Sequence, residues 1–239
     1  MATVFVAVNV WASDPWKEKP YKDWDEKDVR KILNDSPWSK RVEIERKEKK
    51  QGLEAPAGAP TVAGAREQDE EEEREEKDED REKGEKDNKE DEVKFVVRWV
   101  SSRTLREASV RGGILQKSIS EADADKSLSP APDDYQLAVV GTDMSSFHSA
   151  DEPTLRDKTY LIAKKSRERI TASQVQIVRG SDGKRINAII FHFPKHKASG
   201  QAAVSTEEKE LQFVVRTGTI EIKVRFDPQK MVDRQGMDL

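Results

Sequence analysis

The chain of 239 residues contains no cysteine, and this absence removes several kinds of chemistry at once. Disulfide bridges, thiolate metal sites and thiol nucleophiles are excluded, although the cellular compartment stays open. Long apolar runs are also missing, since no segment approaches the roughly 20 apolar residues that a membrane-spanning helix needs. We therefore expect no transmembrane segment, and no motif in the sequence indicates a cofactor.

An excess of positive charge is missing as well. The chain carries 43 basic and 47 acidic residues, which gives a formal net charge of −4. Nucleic-acid binding needs a concentrated excess of Lys and Arg on one face, so we expect no nucleic-acid partner. With 34% hydrophobic and 38% charged residues, the core must be smaller than the length suggests.

The most unusual segment that is present is a charged run over residues 66–92. Of its 27 residues 24 are charged, 7 basic against 17 acidic, and none is apolar. A segment of this composition cannot bury apolar surface, and a Gly-Ala-Pro stretch precedes it at 55–65. The sequence therefore predicts a long disordered, charged insertion over 48–92. The alternative is a solvated single helix, because pairs such as Glu73 and Lys77 have favourable helical spacing.

The N-terminus carries a short apolar run, VFVAVNVWA, over residues 4–12. It resembles the apolar part of a secretory signal followed by a small-residue cleavage site. We therefore interpret residues 1–12 as a possible remnant of a signal peptide and expect a secreted or periplasmic protein. The alternative is an edge strand in a cytoplasmic protein.

Residues 13–47 are predicted to supply the first helix and strand of a single domain. Asp25 can cap a helix whose buried stripe is Val29, Ile32 and Leu33, and alternation over 41–46 indicates a strand. A segment of this length cannot enclose a core alone. We expect its strand to join the next β-rich segment, at 93–100, in one sheet, so that 93–239 forms the main body of the same domain.

The main body begins with helical signals. Thr104 and Glu107 fit a capping box, which predicts a short helix over 105–110 that ends at a Gly-Gly pair. The Ser-, Ala-, Asp- and Pro-rich residues 114–132 are interpreted as a surface connection. Continuous apolar runs at 135–140 and 159–163 predict strands.

The C-terminal third shows strand periodicity. Alternation over 211–215 and 220–226 predicts a hairpin in which Val215 lies opposite Ile220, across a two-residue turn. A second hairpin, with its turn at 180–183, would place Ile177 opposite Ile186 and cover its second strand on both faces. The predicted fold class is α+β: a mostly antiparallel sheet with C-terminal hairpins and one or two short helices.

Three histidines are the only candidates for catalysis or metal binding. His192 and His196 have the spacing of two zinc ligands on a helix, but their context, FHFPKH, has strand periodicity. His148 lies in the serine-rich loop SSFHS, without the motif that surrounds a serine nucleophile. A metal-dependent or serine hydrolase using His148 or His192 with His196 is therefore the alternative function.

Aromatic residues near the N-terminus indicate binding instead. Four of the five tryptophans fall in the first 38 residues, and the candidate binding residues are Trp16, Tyr21, Trp24 and Trp38. If exposed, these rings can stack on sugars or anchor a partner protein. The alternative is that the tryptophans dock the N-terminal helix on the sheet. The favoured function is a non-catalytic exported domain that binds a protein or a cell-envelope component.

Four segments carry a resemblance to a family of uncharacterised secreted bacterial proteins. They are KPYKDWDEKDVRKILNDSPWSK, VVRWVSSRTLREA, IIFHFPK and KVRFDPQKMVDRQGMDL. The first is also loosely similar to the opening of GWxTD-domain proteins, although the GWxTD motif does not occur in this chain. The resemblance covers 13–47 and 93–239 and omits the charged run. It implies export and an α+β fold, without an activity or functional residues.

Overall fold

A computed structural model describes residues 14–45, 92–218 and 220–239. The signal-peptide remnant predicted over 1–12 lies outside the described residues, as does the predicted charged insertion except for its last residue. The helices are α1 Pro15–Glu18, α2 Glu26–Asn34, α3 Arg103–Leu115, α4 Glu121–Leu128 and α5 Glu152–Asp157. The strands are β1 Ser39–Glu45, β2 Glu92–Trp99, β3 Asp134–Gly141, β4 Thr159–Ala163, β5 Glu168–Thr171, β6 Gln174–Arg179, β7 Ile186–Pro194, β8 Leu211–Arg216, β9 Glu221–Phe226, β10 Val232–Asp233 and β11 Gly236–Met237.

The strands form two main antiparallel sheets, which confirms the α+β class. One sheet has five strands in the order β1-β2-β3-β7-β6, and the other has four in the order β5-β4-β8-β9. Strands β10 and β11 make a separate small hairpin near the C-terminus. The described residues hold five helices, more than the one or two expected, because α1, α4 and α5 are short helices in segments where no helix was predicted.

The predicted pairing across the charged run is confirmed. Strand β1 runs antiparallel to β2, with Val42 opposite Phe95. The other edge of β2 pairs with β3, where Val97 lies opposite Val139. The two stretches on either side of the charged run therefore contribute adjacent strands to one sheet.

Aromatic rings from both sheets fill the core between them. Phe213 of β8 lies 5.6 Å from Phe191 and 6.2 Å from Phe193 of β7, measured between ring centroids. Phe226 of β9 lies 5.4 Å from Trp99 of β2. All five rings are buried, and each contributes on the order of 1.5–3 kcal/mol by leaving water. The sheets thus pack face to face around a shared apolar interior.

The C-terminal hairpin has a different register from the predicted one. Val215 pairs with Ile222 rather than Ile220, because residues 217–220 separate the strands. The shift is two residues, and side chains alternate between faces with a period of two. The apolar residues therefore share one buried face, as expected, although each partner is wrong.

The register of the β6–β7 hairpin differs from the predicted one by an odd number of residues. An odd shift changes which side chains of the two strands lie on the same face of the sheet. Ile177 pairs with Ile189 rather than Ile186, because the turn is two residues longer than predicted and a β-bulge between Val178 and Arg179 adds one more. Ile189 and Phe191 consequently share the buried face with Ile177. On the opposite face of β7, Ile186 is buried while Ala188, Ile190 and His192 are half-buried, so this face is covered only in part.

Helix α2 has the predicted start, whereas α3 does not. The Asp25 carboxylate accepts a hydrogen bond from the Asp28 amide at 2.8 Å, and the Asp28 carboxylate accepts one from the Asp25 amide at 3.2 Å. In α3 the N-cap is Ser102, not Thr104, and the helix continues through both glycines to residue 115. A Cβ on Gly113 would lie 2.6 Å from Ile119 Cδ1, so this glycine allows the following chain to pack on the helix.

A further helix lies where a surface connection was predicted. Ser120 caps α4, its hydroxyl accepting from the Asp123 amide at 3.2 Å, and Ala124 is the buried residue of this helix. Helix α4 packs against α3. The interpretation of 114–132 as a surface connection was therefore wrong, because a helix with a single buried residue gave no apolar periodicity to recognise.

Candidate functional site

The N-terminal segment and the C-terminal hairpin β10–β11 meet on α3 and enclose a cleft of about 340 Å³. We call it the α3 cleft and define it by its lining residues: Trp16, Lys19, Pro20, Tyr21, Trp24, Thr104, Glu107, Asp233, Arg234 and Gln235. Three of the four predicted binding residues therefore reach one site. They are joined there by residues that lie at least 80 positions further along the chain.

The tryptophans of the predicted binding set are buried. Trp16 and Trp24 line the cleft with exposed fractions of 4% and 1%, so they form its walls. Trp24 Nε1 donates to the Pro15 carbonyl at 3.1 Å, which holds α1 against the rest of the segment. Trp38 does not line the cleft, and its ring packs edge-on against Trp16 at 5.6 Å.

Tyr21 is the aromatic residue of the cleft with the most accessible ring. It lies in a short 3-10 turn, Tyr21–Asp23, that packs against α3, and it is half-exposed. Its hydroxyl reaches Asp125 of α4 at 3.5 Å. Burial, reinforced by the negative charge of Asp125, raises the pKa of this phenol above its ordinary value. The hydroxyl therefore stays protonated and available as a donor at neutral pH.

Glu107 brings an unpaired carboxyl group to the cleft. The side chain is half-buried on α3, and it makes no hydrogen bond or ion pair with any described residue. Burial raises the pKa of Glu107 to about 7. Arg103 opposes this rise, while the negative charges of Asp233 and Asp238 add to it. Near neutral pH the group is thus divided between its acid and carboxylate forms.

The remaining acids around α3 are fully engaged. Asp233 binds Arg103 in a bidentate pair, with Nη2 to Oδ1 at 2.6 Å and Nε to Oδ2 at 2.8 Å. The buried Asp238 carboxylate accepts from the first two amides of α3, Arg103 N at 2.7 Å and Thr104 N at 2.8 Å. Negative charge is favourable at a helix N-terminus, so these contacts fix the C-terminal segment to α3.

Two buried polar atoms of cleft residues lack partners in the described structure. They are the Trp16 indole nitrogen and the Thr104 hydroxyl. An unpaired buried donor costs about 1–3 kcal/mol, so each such group needs a reason to persist. Trp16 and Thr104 line the α3 cleft together with Glu107, whose carboxyl also has no partner among the described residues.

His148 lies in a second cleft, of about 380 Å³, that also contains Ser145 and Asp143. The histidine is exposed, and within the described residues its ring has no hydrogen bond to a serine or a carboxylate. A catalytic triad joins a nucleophile, a base and an orienting acid by hydrogen bonds. The residue types of a triad are therefore close here, but within the described residues the His148 ring is not hydrogen-bonded to either of the other two.

His192 and His196 have different surroundings. His192 Nδ1 lies 2.7 Å from Asp134 Oδ2, and its Nε2 is buried without a partner among the described residues. His196 is exposed in a loop beyond β7, where it forms a bridge with Ala202. Within 14–45, 92–218 and 220–239, no three His, Asp or Glu side chains are grouped to hold a metal ion.

The fold and the cleft define the chain as an α+β protein of two packed antiparallel sheets with a cleft lined by aromatic and acidic residues. Comparisons with protein-family models, with curated proteins and with solved structures found no match. The resemblance to secreted bacterial proteins therefore stays a prediction. Among the described residues, no helix is long and apolar enough to cross a membrane.

Sequence reasoning missed the acidic part of the cleft. Glu107 was interpreted as half of a capping box, while Asp233 and Arg234 carried no signal. Contacts between residues 130 positions apart, such as Arg103 with Asp233, leave no local pattern. The one available signal was the aromatic cluster, which located the N-terminal wall.

Proposed function

We propose that the protein is a non-catalytic binding domain that holds a segment of a partner protein in the α3 cleft. The observation that carries this proposal is the unpaired, half-buried Glu107 carboxyl within aromatic walls. A cleft of this volume accommodates one or two side chains, which is the size of the central anchoring pocket of many protein interfaces.

A protein segment fits this cleft better than a glycan of the cell envelope. Sugar rings stack on open aromatic faces, whereas Trp16 and Trp24 are almost fully buried. Tyr21 alone offers an accessible ring, and around it lie donors and acceptors suited to a peptide backbone. Export belongs to the proposal as well, and it rests on the apolar run at 4–12. Sequencing the N-terminus of the mature protein tests it.

The hydrolase alternative rests on the contact of His192 with Asp134, since this pair resembles a base with its orienting acid. Such a pair needs a nucleophile or a metal-bound water at Nε2. Activity toward ester and peptide substrates that is lost in His192→Gln and kept in His196→Gln would favour this alternative over a binding domain.

The cysteine-free chain allows a direct test of the cleft. Gln235 is exposed at the rim, and its backbone amide, not its side chain, donates to Asp233 Oδ1 at 2.7 Å. Peptides are selected from a displayed random library on the unmodified protein. They are then tested on Gln235→Cys that carries a bulky maleimide label. The matched control is labelled Lys209→Cys, at an exposed site outside the cleft.

We expect labelling at position 235 to reduce peptide affinity at least about tenfold, since a label there fills the anchoring pocket. Labelling at 209 should leave the affinity unchanged. Selected peptides that bind both labelled proteins equally would show that the cleft is not the binding site. If no peptide binds, but a glycan binds the unmodified protein and not the protein labelled at position 235, the ligand of the cleft would be an envelope component instead.

A further inference from the structure

One acid in the α3 cleft has no ion-pair or hydrogen-bond partner among the described residues, and this bears on the chemistry of a ligand. Other acids near the cleft are engaged: Asp233 binds Arg103, Asp238 holds the α3 amides, and Asp28 binds Lys19 at 2.8 Å. The Glu107 carboxyl makes no such contact within the part of the chain that the structure describes. Partial burial of a carboxylate without a partner costs free energy. A cationic group of a ligand that pairs with Glu107 would offset this cost.

Two arginines near the cleft are already used elsewhere. Arg106 donates to the Pro130 carbonyl at 3.0 Å, and Arg111 donates to the Trp24 carbonyl at 2.7 Å. Arg234 is exposed on the tip between β10 and β11, with no ion pair to a described residue. It lines the rim and can donate to a carbonyl oxygen of a bound segment.

The aromatic walls suit the stem of a basic side chain. Ammonium groups already lie against two of these rings: Lys22 Nζ is 5.9 Å from the Tyr21 centroid, and Lys31 Nζ is 5.5 Å from the Trp16 centroid. Lysine and arginine pack their methylene groups on apolar surface while their heads remain polar. Tyr21 and Glu107 line the same cleft.

We propose that the α3 cleft anchors its partner through a lysine or arginine side chain whose charged head pairs with Glu107. This inference rests on the proposed function, because it names the group by which the partner segment is held. The cation then replaces the proton that burial keeps on Glu107 near neutral pH, so binding should strengthen as the pH rises.

Several charged groups face Glu107 and influence that pH dependence. Arg103 and Arg106 on α3 favour the carboxylate, whereas Asp233 and Asp238 from the C-terminal segment favour the acid. Lys19 and Arg234 line the same cleft. The substitution Glu107→Gln removes the titrating group while leaving all of these in place.

The test uses small probes titrated into the full chain and followed by NMR. Nα-acetyl-lysine amide is compared with Nα-acetyl-norleucine amide, which has a similar stem without the charge, and with Nα-acetyl-glutamate amide. Each is measured on the unmodified protein, on Glu107→Gln and on the control Glu152→Gln, an exposed glutamate of α5 outside the cleft. Measurements are made at pH 5.5 and pH 8.

We expect the lysine probe to bind about five- to tenfold more tightly than the norleucine probe at pH 8, as for a partly exposed ion pair. This preference should disappear in Glu107→Gln and shrink at pH 5.5, while Glu152→Gln retains it. Equal binding of the two probes, or tighter binding of the glutamate probe, would overturn the inference. If peptides blocked at position 235 still bind Glu107→Gln normally, the proposed function stands and the basic anchor does not.

Discussion

Replacing Glu107 by glutamine should stabilise the folded protein at pH 8 and leave its stability unchanged at pH 4. Burial raises the pKa of this carboxyl from 4.5 to about 7. Between these values the folded protein binds more protons than the unfolded chain, so the free energy of unfolding falls as the pH rises. Glutamine has no proton to lose and avoids this fall.

The size of the effect follows from the pKa difference. Each pKa unit corresponds to about 1.4 kcal/mol, so the full difference would give about 3 kcal/mol. The carboxyl keeps contact with solvent, which screens its charge, and we therefore expect about 1–2 kcal/mol. Below the ordinary pKa both the glutamic acid and the glutamine are neutral, so the two proteins should then unfold alike.

Urea unfolding followed by tryptophan fluorescence measures this difference at a series of pH values from 4 to 8.5. Trp16, Trp24 and Trp38 are buried beside the cleft, so the signal reports on this part of the fold. The unmodified protein, Glu107→Gln and Glu152→Gln are compared pairwise to cancel the other titrating groups. A stability difference that is constant with pH, or a loss of stability in Glu107→Gln at pH 8, would refute the reasoning.

Three further predictions concern the fold that holds the cleft. Replacing residues 46–91 by a four-residue Gly- and Asn-rich turn should preserve cooperative urea unfolding, because Glu45 and Glu92 are direct partners across the β1–β2 ladder; loss of cooperativity would contradict this. The variant Asp238→Ala should lose about 2–3 kcal/mol of unfolding free energy in the same assay, because two amides at the start of α3 lose their acceptor. Backbone donors hold the pKa of the fully buried Glu208 below its ordinary value even though burial opposes this. Glu208→Gln should therefore cost about 1–2 kcal/mol at pH 7, and its difference from the unmodified protein should shrink as the pH falls through the folded pKa.

Local signals in the sequence predicted those elements that depend on local contacts. The Asp25 cap of α2 and the apolar run of β3 were recognised because their determinants lie within a few residues. Alternation in β8 and β9 placed the apolar side chains on one face, but it contains no information about the length of the turn. The bulge beside Val178 likewise has no signature in the pattern, and it changed which residues of β7 share a face with Ile177.

The candidate site was predictable on one side only. Aromatic residues close together in sequence indicated the N-terminal wall, where Trp16, Tyr21 and Trp24 meet. The acidic side depends on α3 and the C-terminal hairpin, which approach through long-range contacts. Thr104 and Glu107 have the spacing of a capping box, yet the acceptor for the α3 amides comes from Asp238. The capping-box spacing is present in the sequence, but the carboxylate that caps the α3 amides is Asp238. Glu107 therefore makes no capping contact, and among the described residues its carboxyl has no partner in the cleft.

The walls of the α3 cleft are continuous with the core, so a ligand bound there should stabilise the whole domain. Trp16 packs on Trp38, whose indole nitrogen donates to the Asp238 carbonyl at 2.6 Å, and the Asp238 carboxylate holds α3. Unfolding of the domain therefore destroys the site. A ligand that binds only the folded state at a hundredfold excess over its Kd should add about 2.7 kcal/mol to the free energy of unfolding.

That linkage makes global unfolding a test of occupancy for any candidate ligand. The midpoint should rise with ligand concentration in the unmodified protein and in labelled Lys209→Cys. Labelled Gln235→Cys should keep its ligand-free midpoint and lose the rise, because its label blocks the rim without entering the core. A ligand that binds by NMR and still leaves the midpoint unchanged at hundredfold excess would mean that the site survives in the unfolded chain, contrary to the long-range contacts that build it.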